Sequence, residues 1–225
     1  MAARIDHLIV GAASLEEGVA WCEATLGVVP GPGGEHPLMG THNRLLRVAT
    51  VDHPRAYFEI LAVQPGRTPQ RARRWFDLDD EHVRDTLARS GPRLLHFVAS
   101  VPDVRQAIAA LGKLGMDRGE AVAASRMTPR GLLEWQITVR EDGQRLFGGV
   151  LPTLIEWGTT HPASAMPESG VTLQSLTCVH PEAAGLRQAF DAIDLQAVAV
   201  QEGSANLCAV LATPRGRVKL ESGGL

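Results

Sequence analysis

Residues 4–26 read RIDHLIVGAASLEEGVAWCEATL. The opening part, 4–10, is a short apolar run with β-branched residues and predicts a strand. The part that follows, 14–26, carries its apolar residues at helical spacing. Ser14 stands where an N-cap belongs, Glu17 three residues later completes a capping box, and Gly27 closes the helix. Beyond it, 45–49 and 56–61 predict two strands around the turn Val51-Asp52-His53-Pro54. A further strand is expected among the glycines of 28–35. The order is β-α-β-β-β.

The order recurs, and a repeat of this length governs the fold. Residues 93–100, RLLHFVAS, are a strand, Asp103 caps a helix through Leu114 that Gly115 ends, and 132–139 and 152–157 are later strands. Residues 171–225 run strand, helix (Pro181 to Ile193), then a hairpin around Pro214-Arg215-Gly216. The expected fold is therefore α+β: repeated βαβββ modules at 1–65, 92–158 and, in degenerate form, 171–225. Curved mixed sheets would surround a cavity, with helices outside. The segment 66–91 reads as a charged linker with a helix near Asp80 to Ala88. Modules one and two could close one cup; alternatively modules two and three pair, and module one pairs with a second chain.

Bulk composition narrows the function. Apolar residues make up 44% and charged residues 21%, with a net charge of −3, which are ordinary globular values. The run Arg67 to Arg74 is followed at once by Asp77, Asp79, Asp80 and Glu81, so it reads as a solvated face and no nucleic-acid partner is expected. No apolar run approaches ~18 residues and no h-region opens the chain, so neither a membrane partner nor export is expected. Cys22, Cys178 and Cys208 lack metal-site spacing, and Cys22 and Cys178, inside apolar periodic segments, read as buried thiols, consistent with a reducing, cytoplasmic location. Abundant Ala, Gly and Arg with a single Tyr point to a high-GC bacterial genome.

Strand parity selects candidate site residues, because side chains alternate across a sheet. His7 shares a face with Ile5 and Ile9, Glu59 with Tyr57 and Leu61, His96 with Leu94 and Val98, and Glu156 with Pro152 and Leu154. Modules one and two each offer one His and one Glu, spaced 52 and 60 residues apart. A module with His in its first strand and Glu in its last resembles the vicinal-oxygen-chelate superfamily, which includes glyoxalase I, extradiol dioxygenases, fosfomycin-resistance enzymes and bleomycin-binding proteins. A closer resemblance is to bacterial glyoxalase-like domain proteins. It rests on Asp6-His7-Leu8, His36-Pro37, Gly40-Thr41-His42-Asn43, Phe58-Glu59-Ile60, Trp75-Phe76, Leu133-Glu134-Trp135, Leu154-Ile155-Glu156-Trp157-Gly158 and His161-Pro162.

That resemblance implies His7, Glu59, His96 and Glu156 as ligands of a divalent ion (Fe, Mn, Ni or Zn), provided modules one and two pair. Such an ion would polarise a carbonyl or steady an enediolate, with Glu59 moving a proton. His36, His42 and Asn43 lie on a glycine-rich segment that reads either as a substrate loop, with His42 as acid or base, or as turn chemistry. Trp135 is a candidate pocket wall. In module three Ser175 stands where His7 and His96 fall, so this module is expected to cover a sheet edge or form a dimer contact. The function expected is a glyoxalase-like enzyme on a small-molecule substrate, by metal-dependent lyase, isomerase or dioxygenase chemistry. The alternative is a metal-free, antibiotic-like binding protein. A partner-binding structural role is a third class. No Gly-x-Ser-x-Gly elbow suggests a serine nucleophile.

Overall fold

Strands β1 (Arg4–Gly11) and β5 (Arg93–Ser100) lie antiparallel at the centre of an eight-stranded sheet. The computed structural model describes residues 2–128 and 131–225. After β1, module one runs α1 (Leu15–Leu26), β2 (Glu35–His36), β3 (Thr41–Arg47) and β4 (Tyr57–Val63). Helix α2 (Glu81–Ser90) follows in the connecting segment. After β5, module two runs α3 (Val104–Gly112), β6 (Glu120–Thr128), β7 (Gly131–Val139) and β8 (Thr153–Trp157). The strand order is β2-β3-β4-β1-β5-β8-β7-β6, with β1 parallel to β4 and β5 parallel to β8. Modules one and two therefore pair within one chain.

The central ladder has an internal two-fold. His7 faces Val98 and Ile9 faces His96, so exchanging β1 and β5 carries His7 onto His96 and Ile9 onto Val98. The ladder skips Asp6 on one strand and Leu95 on the other. These are two bulges, each just before its histidine, and a bulge re-aims the side chains beside it.

The helices form where the sequence caps them. Ser14 accepts the Glu17 N–H at 3.1 Å, Asp80 the Val83 N–H at 3.1 Å and Asp103 the Gln106 N–H at 2.9 Å. Helices α1 and α3 cover the outer face, where Leu8, Val10, Phe58, Ile60, Leu94 and Phe97 meet Cys22, Leu26 and Leu111. Each such large side chain contributes about 1.5–3 kcal/mol by leaving water. The inner face carries Ile9, Leu61, Val98, Ile137 and Ile155, and the 66–91 segment folds over it with Phe76, Leu78, Val83 and Leu87.

Three details differ from the sequence reading. The expected strand at 28–35 is reduced to Glu35–His36 and an isolated bridge from Gly31 to Leu45, because its glycines and prolines supply few ladder residues. Strand β3 begins at Thr41 rather than Leu45, so Thr41, His42 and Asn43 are strand and not loop. Strand β6 was not expected: EAVAASRMT has little β-branched content, yet it pairs continuously with β7 from Glu120–Val139 to Thr128–Gly131.

The third unit is β9 (Thr172–Val179), α4 (Ala183–Ala192), β10 (Ala199–Gln201), β11 (Asn206–Thr213) and β12 (Gly216–Glu221). Its sheet order is β10-β9-β11-β12, with β9 parallel to β10. In module one the first strand is parallel to the last; here it is parallel to the second. The unit packs against the outer core through Leu173, Leu176, Leu186 and Phe190.

Candidate functional site

The site forms where the β1 bulge turns both Asp6 and His7 into the inner space. Strict alternation would place these neighbours on opposite faces. Asp6 is fully buried and accepts three N–H groups: His7 Nδ1 at 2.7 Å, Trp157 Nε1 at 2.9 Å and His161 Nε2 at 3.0 Å. His161 Nδ1 accepts the Ala163 N–H at 3.1 Å, which leaves the proton on Nε2. His7 Nε2 then points at Glu59, 3.3 Å away on the adjacent β4. The Tyr57 ring stacks on His7 at 4.5 Å.

Asn43 fixes the far side of Glu59. Its Nδ2 donates to Glu59 Oε1 at 2.6 Å and approaches His36 Nε2 at 3.4 Å, while its Oδ1 accepts the Gly34 N–H at 2.7 Å. The amide orientation is thus set from both ends. Gly33 is required for this, since a Cβ there would collide with the Asn43 backbone. His36 Nδ1 donates to Thr41 Oγ1 at 3.0 Å.

Charge follows from these bonds. Burial alone would push Asp6 and Glu59 up, but hydrogen bonds and charge from their histidines hold each carboxyl down at about 2. Burial would push His7 down, but Asp6 and Glu59 on either side raise it to about 9. Around neutral pH the chain Asp6–His7–Glu59 is carboxylate, imidazolium, carboxylate. Burial lowers His36, which stays neutral. Burial also raises the Tyr57 phenol well above its usual range.

These groups floor a cup of about 50 Å³. Its walls are Trp75, Leu133, Trp135, Ile137, Ile155 and Trp157, with Arg126 from β6 among the lining residues. The structure brings together His7, Glu59, His36, Asn43 and Trp135 from the sequence-derived candidates. It places the other three elsewhere. His42 lies on the opposite face of β3 from Asn43, in the field of Glu16, Arg44 and Glu35. Glu156 lies on the opposite face of β8 from Ile155 and Trp157, and its Oε2 accepts the Val104 N–H at 2.8 Å at the start of α3. His96 is fully buried outside the cup: Nδ1 donates to the Gly149 carbonyl at 2.7 Å and Nε2 accepts the Thr153 N–H at 3.1 Å. Burial holds it well below the usual imidazole range.

The internal two-fold explains the misplacement. Ile9 pairs with Glu59, and its counterpart Val98 pairs with Thr153. The structural counterpart of Glu59 is therefore Thr153, not Glu156. The pairs correspond closely: His7 Nε2 to Glu59 at 3.3 Å and His96 Nε2 to Thr153 Oγ1 at 3.0 Å.

A divalent ion does not fit this donor set. His36 Nε2 and Glu59 Oε1 converge on the Asn43 NH2, a donor that cannot ligate, and its orientation is pinned. Among the described residues no group of three His, Cys, Asp or Glu side chains is placed to hold a metal.

Sequence reasoning missed Asp6, His161 and Arg126. Asp6 needed the bulge, which leaves no local signal. His161-Pro162 matches the family strings, but its bond to Asp6 depends on the fold. Arg126 sits in the strand whose composition conceals it.

The family model for the glyoxalase-like domain matches residues 5–193. The chain belongs to the glyoxalase-like domain family. The match covers both paired modules of this glyoxalase-like protein and ends within the third unit. A crystal structure of a hypothetical protein from Staphylococcus aureus shares the fold, with a TM-score of 0.62 at 12% identity over 90% of this chain and 87% of that one. Methylmalonyl-CoA epimerase in complex with methylmalonyl-CoA and NH4+ is more distant, with a TM-score of 0.43 at 20% identity over 74% of this chain and 100% of that one. The Mycobacterium tuberculosis methylmalonyl-CoA epimerase gives 0.38 at 17% identity over 72% and 91%. Comparison with curated protein sequences gives no match. Among the described residues no helix is long and apolar enough to cross a membrane.

Proposed function

We propose that this glyoxalase-like protein is a small-molecule enzyme that moves a proton at a carbon beside an oxygen-bearing group, as an isomerase or lyase. The observation that carries this reading is the buried chain Asp6–His7–Glu59, which reaches the floor of an aromatic cup. Asp6 fixes the ring and its proton. His7 Nε2–H offers a hydrogen bond to an oxygen entering the cup. Such an oxygen displaces Glu59 from His7, and Glu59 loses one of the bonds that hold its pKa down, so its basicity climbs. Glu59 takes the carbon-bound proton while the substrate oxygen is stabilised by His7. Returning that proton to a different carbon gives an isomer, and expelling a neighbouring group gives elimination.

The metal-dependent form, with His7, Glu59, His96 and Glu156 as ligands, is what the family resemblance supplies. Of these four only His7 and Glu59 come together, while His96 and Glu156 bond elsewhere, and the proposed steps use none of that chemistry. Glu59 keeps the catalytic role read from the sequence; His42 faces away from the cup and has none in this proposal.

The test is proton exchange in D2O, followed by NMR over a panel of small 2-oxo and 2-hydroxy acids and their esters. The wild-type protein should wash deuterium into the carbon next to the oxygen, and Glu59→Gln should slow this by about 10²–10⁴-fold. The aromatic walls Trp75, Trp135 and Trp157 favour a second reading, a metal-free binding protein. Saturable binding without exchange for any compound would establish that reading and sink the enzyme.

A further inference from the structure

We propose that the ligand of this cup is a small organic acid, and that its carboxylate is held at the rim by the Arg126 guanidinium and the Trp75 indole N–H. The inference rests on the cup being the functional site and names what enters it. Two donors there lack acceptors. Arg126 Nε and Trp75 Nε1 are both shielded from solvent, and neither has a hydrogen-bond partner. A donor left unpaired in this way costs free energy that an acceptor oxygen would recover.

Position strengthens the case. Arg126 leaves β6 of module two and reaches across to module one, where its Nη1 lies against the backbone of Gly34; a Cβ at Gly34 would collide with it. Arg126 is half-buried there, with its Nε shielded from solvent. Gly34 is also the residue whose N–H fixes Asn43, so the rim and the floor share a strut. His7 already matches Asp6 and Glu59. Arg126 is the cup cation with no carboxylate at ion-pair distance among the described residues. Its flat fork suits a flat carboxylate. Trp75 comes from the segment that folds over the inner face and stands edge-on to His36 at 5.1 Å.

A carboxylate at the rim would direct the adjoining carbon inward, toward His7 and Glu59, and its apolar body toward Trp135 and Trp157. The 50 Å³ cup limits that body to a few atoms unless the walls part.

Isothermal titration tests this with pyruvate, lactate, phenylacetate and benzoate, each against its amide, with inorganic phosphate as a further arm. At least one acid should bind, and its amide should bind at least about tenfold more weakly. Arg126→Met should remove that preference, Arg126→Lys should restore part of it, and Trp75→Phe should weaken acid binding several-fold. Circular dichroism checks that each variant is folded. Equal binding of acid and amide, binding of phosphate alone, no binding by any acid, or an unchanged preference in Arg126→Met overturns the proposal. Failure here is separable from failure of the enzyme reading. Exchange that ignores Arg126 keeps the enzyme without the acid, and acid binding without exchange keeps the acid without the enzyme.

Discussion

At the scale of single residues, Asp6 organises the site although it is not among the residues lining the cup. One carboxylate receives three N–H groups from β1, β8 and the segment after it, so its loss disturbs three elements at once. Asp6→Asn would present an NH2 to at least one of these donors. Breaking a buried charge network in this way should cost about 3–5 kcal/mol, read by urea denaturation. The same groups set a pH profile. His7 is raised from 6.5 to about 9, so its contribution is complete below about 6.5 and is lost as pH rises through about 9. Asp6 and Glu59 are lowered from 3.8 and 4.5 to about 2, so theirs is present above those unfolded values and is lost as pH falls through about 2. The melting temperature should be highest near pH 4.5–6.5 and decline toward pH 9. His7→Gln should flatten the alkaline limb; a limb unchanged in that variant would show that other groups set it.

At the scale of elements, the β1 and β5 bulges produce two half-sites, and only one opens into the cup. Module one has Asp6, His7 and Glu59 where module two has Leu95, His96 and Thr153. In module two Arg118 Nη2 reaches Thr153 Oγ1 at 2.7 Å and fills the space beside His96. His96→Ala would strand the Gly149 carbonyl and the Thr153 N–H. It should cost about 1–3 kcal/mol per stranded group in denaturation yet leave proton exchange in the cup intact, whereas His7→Ala should abolish exchange. The reverse pattern would move the site to module two. These elements also show what the sequence made legible. The βαβββ order, the caps at Ser14 and Asp103, and the inward faces of His7 and Glu59 follow from periodicity and polar spacing. Matching corresponding strands by order sets Glu156 beside Glu59, whereas the ladder pairs Val98 with Thr153. His42 was placed beside Asn43 because the segment read as loop; as strand, alternation separates them. A bulge and a pairing register are properties of two strands together, and neither strand carries them alone.

At the scale of the molecule, the third unit forms neither a further half-site nor a cap on a sheet edge. It covers the outer face of the central strands. Phe190 of α4 meets Phe97 of β5 edge-on at 6.4 Å, and Leu173 N–H bonds to the Val48 carbonyl at 2.9 Å. Phe97 points outward one residue after His96, so the outer packing of β5 and the buried half-site behind it are two faces of one strand. The cup lies on the other side of the sheet, between modules one and two, and none of its lining residues comes from the third unit. Stability and ligand recognition should therefore separate. Phe190→Ala opens a cavity in the outer core and should cost about 3–5 kcal/mol, read as a lower denaturation midpoint with an unchanged slope. Exchange rates and acid affinity measured well below the new midpoint should match the wild type, because the sheet between the two faces keeps its ladder. A loss of acid affinity at full folding would instead show that the outer core sets the curvature of the sheet and, through β5 and β1, the spacing of His7 and Glu59.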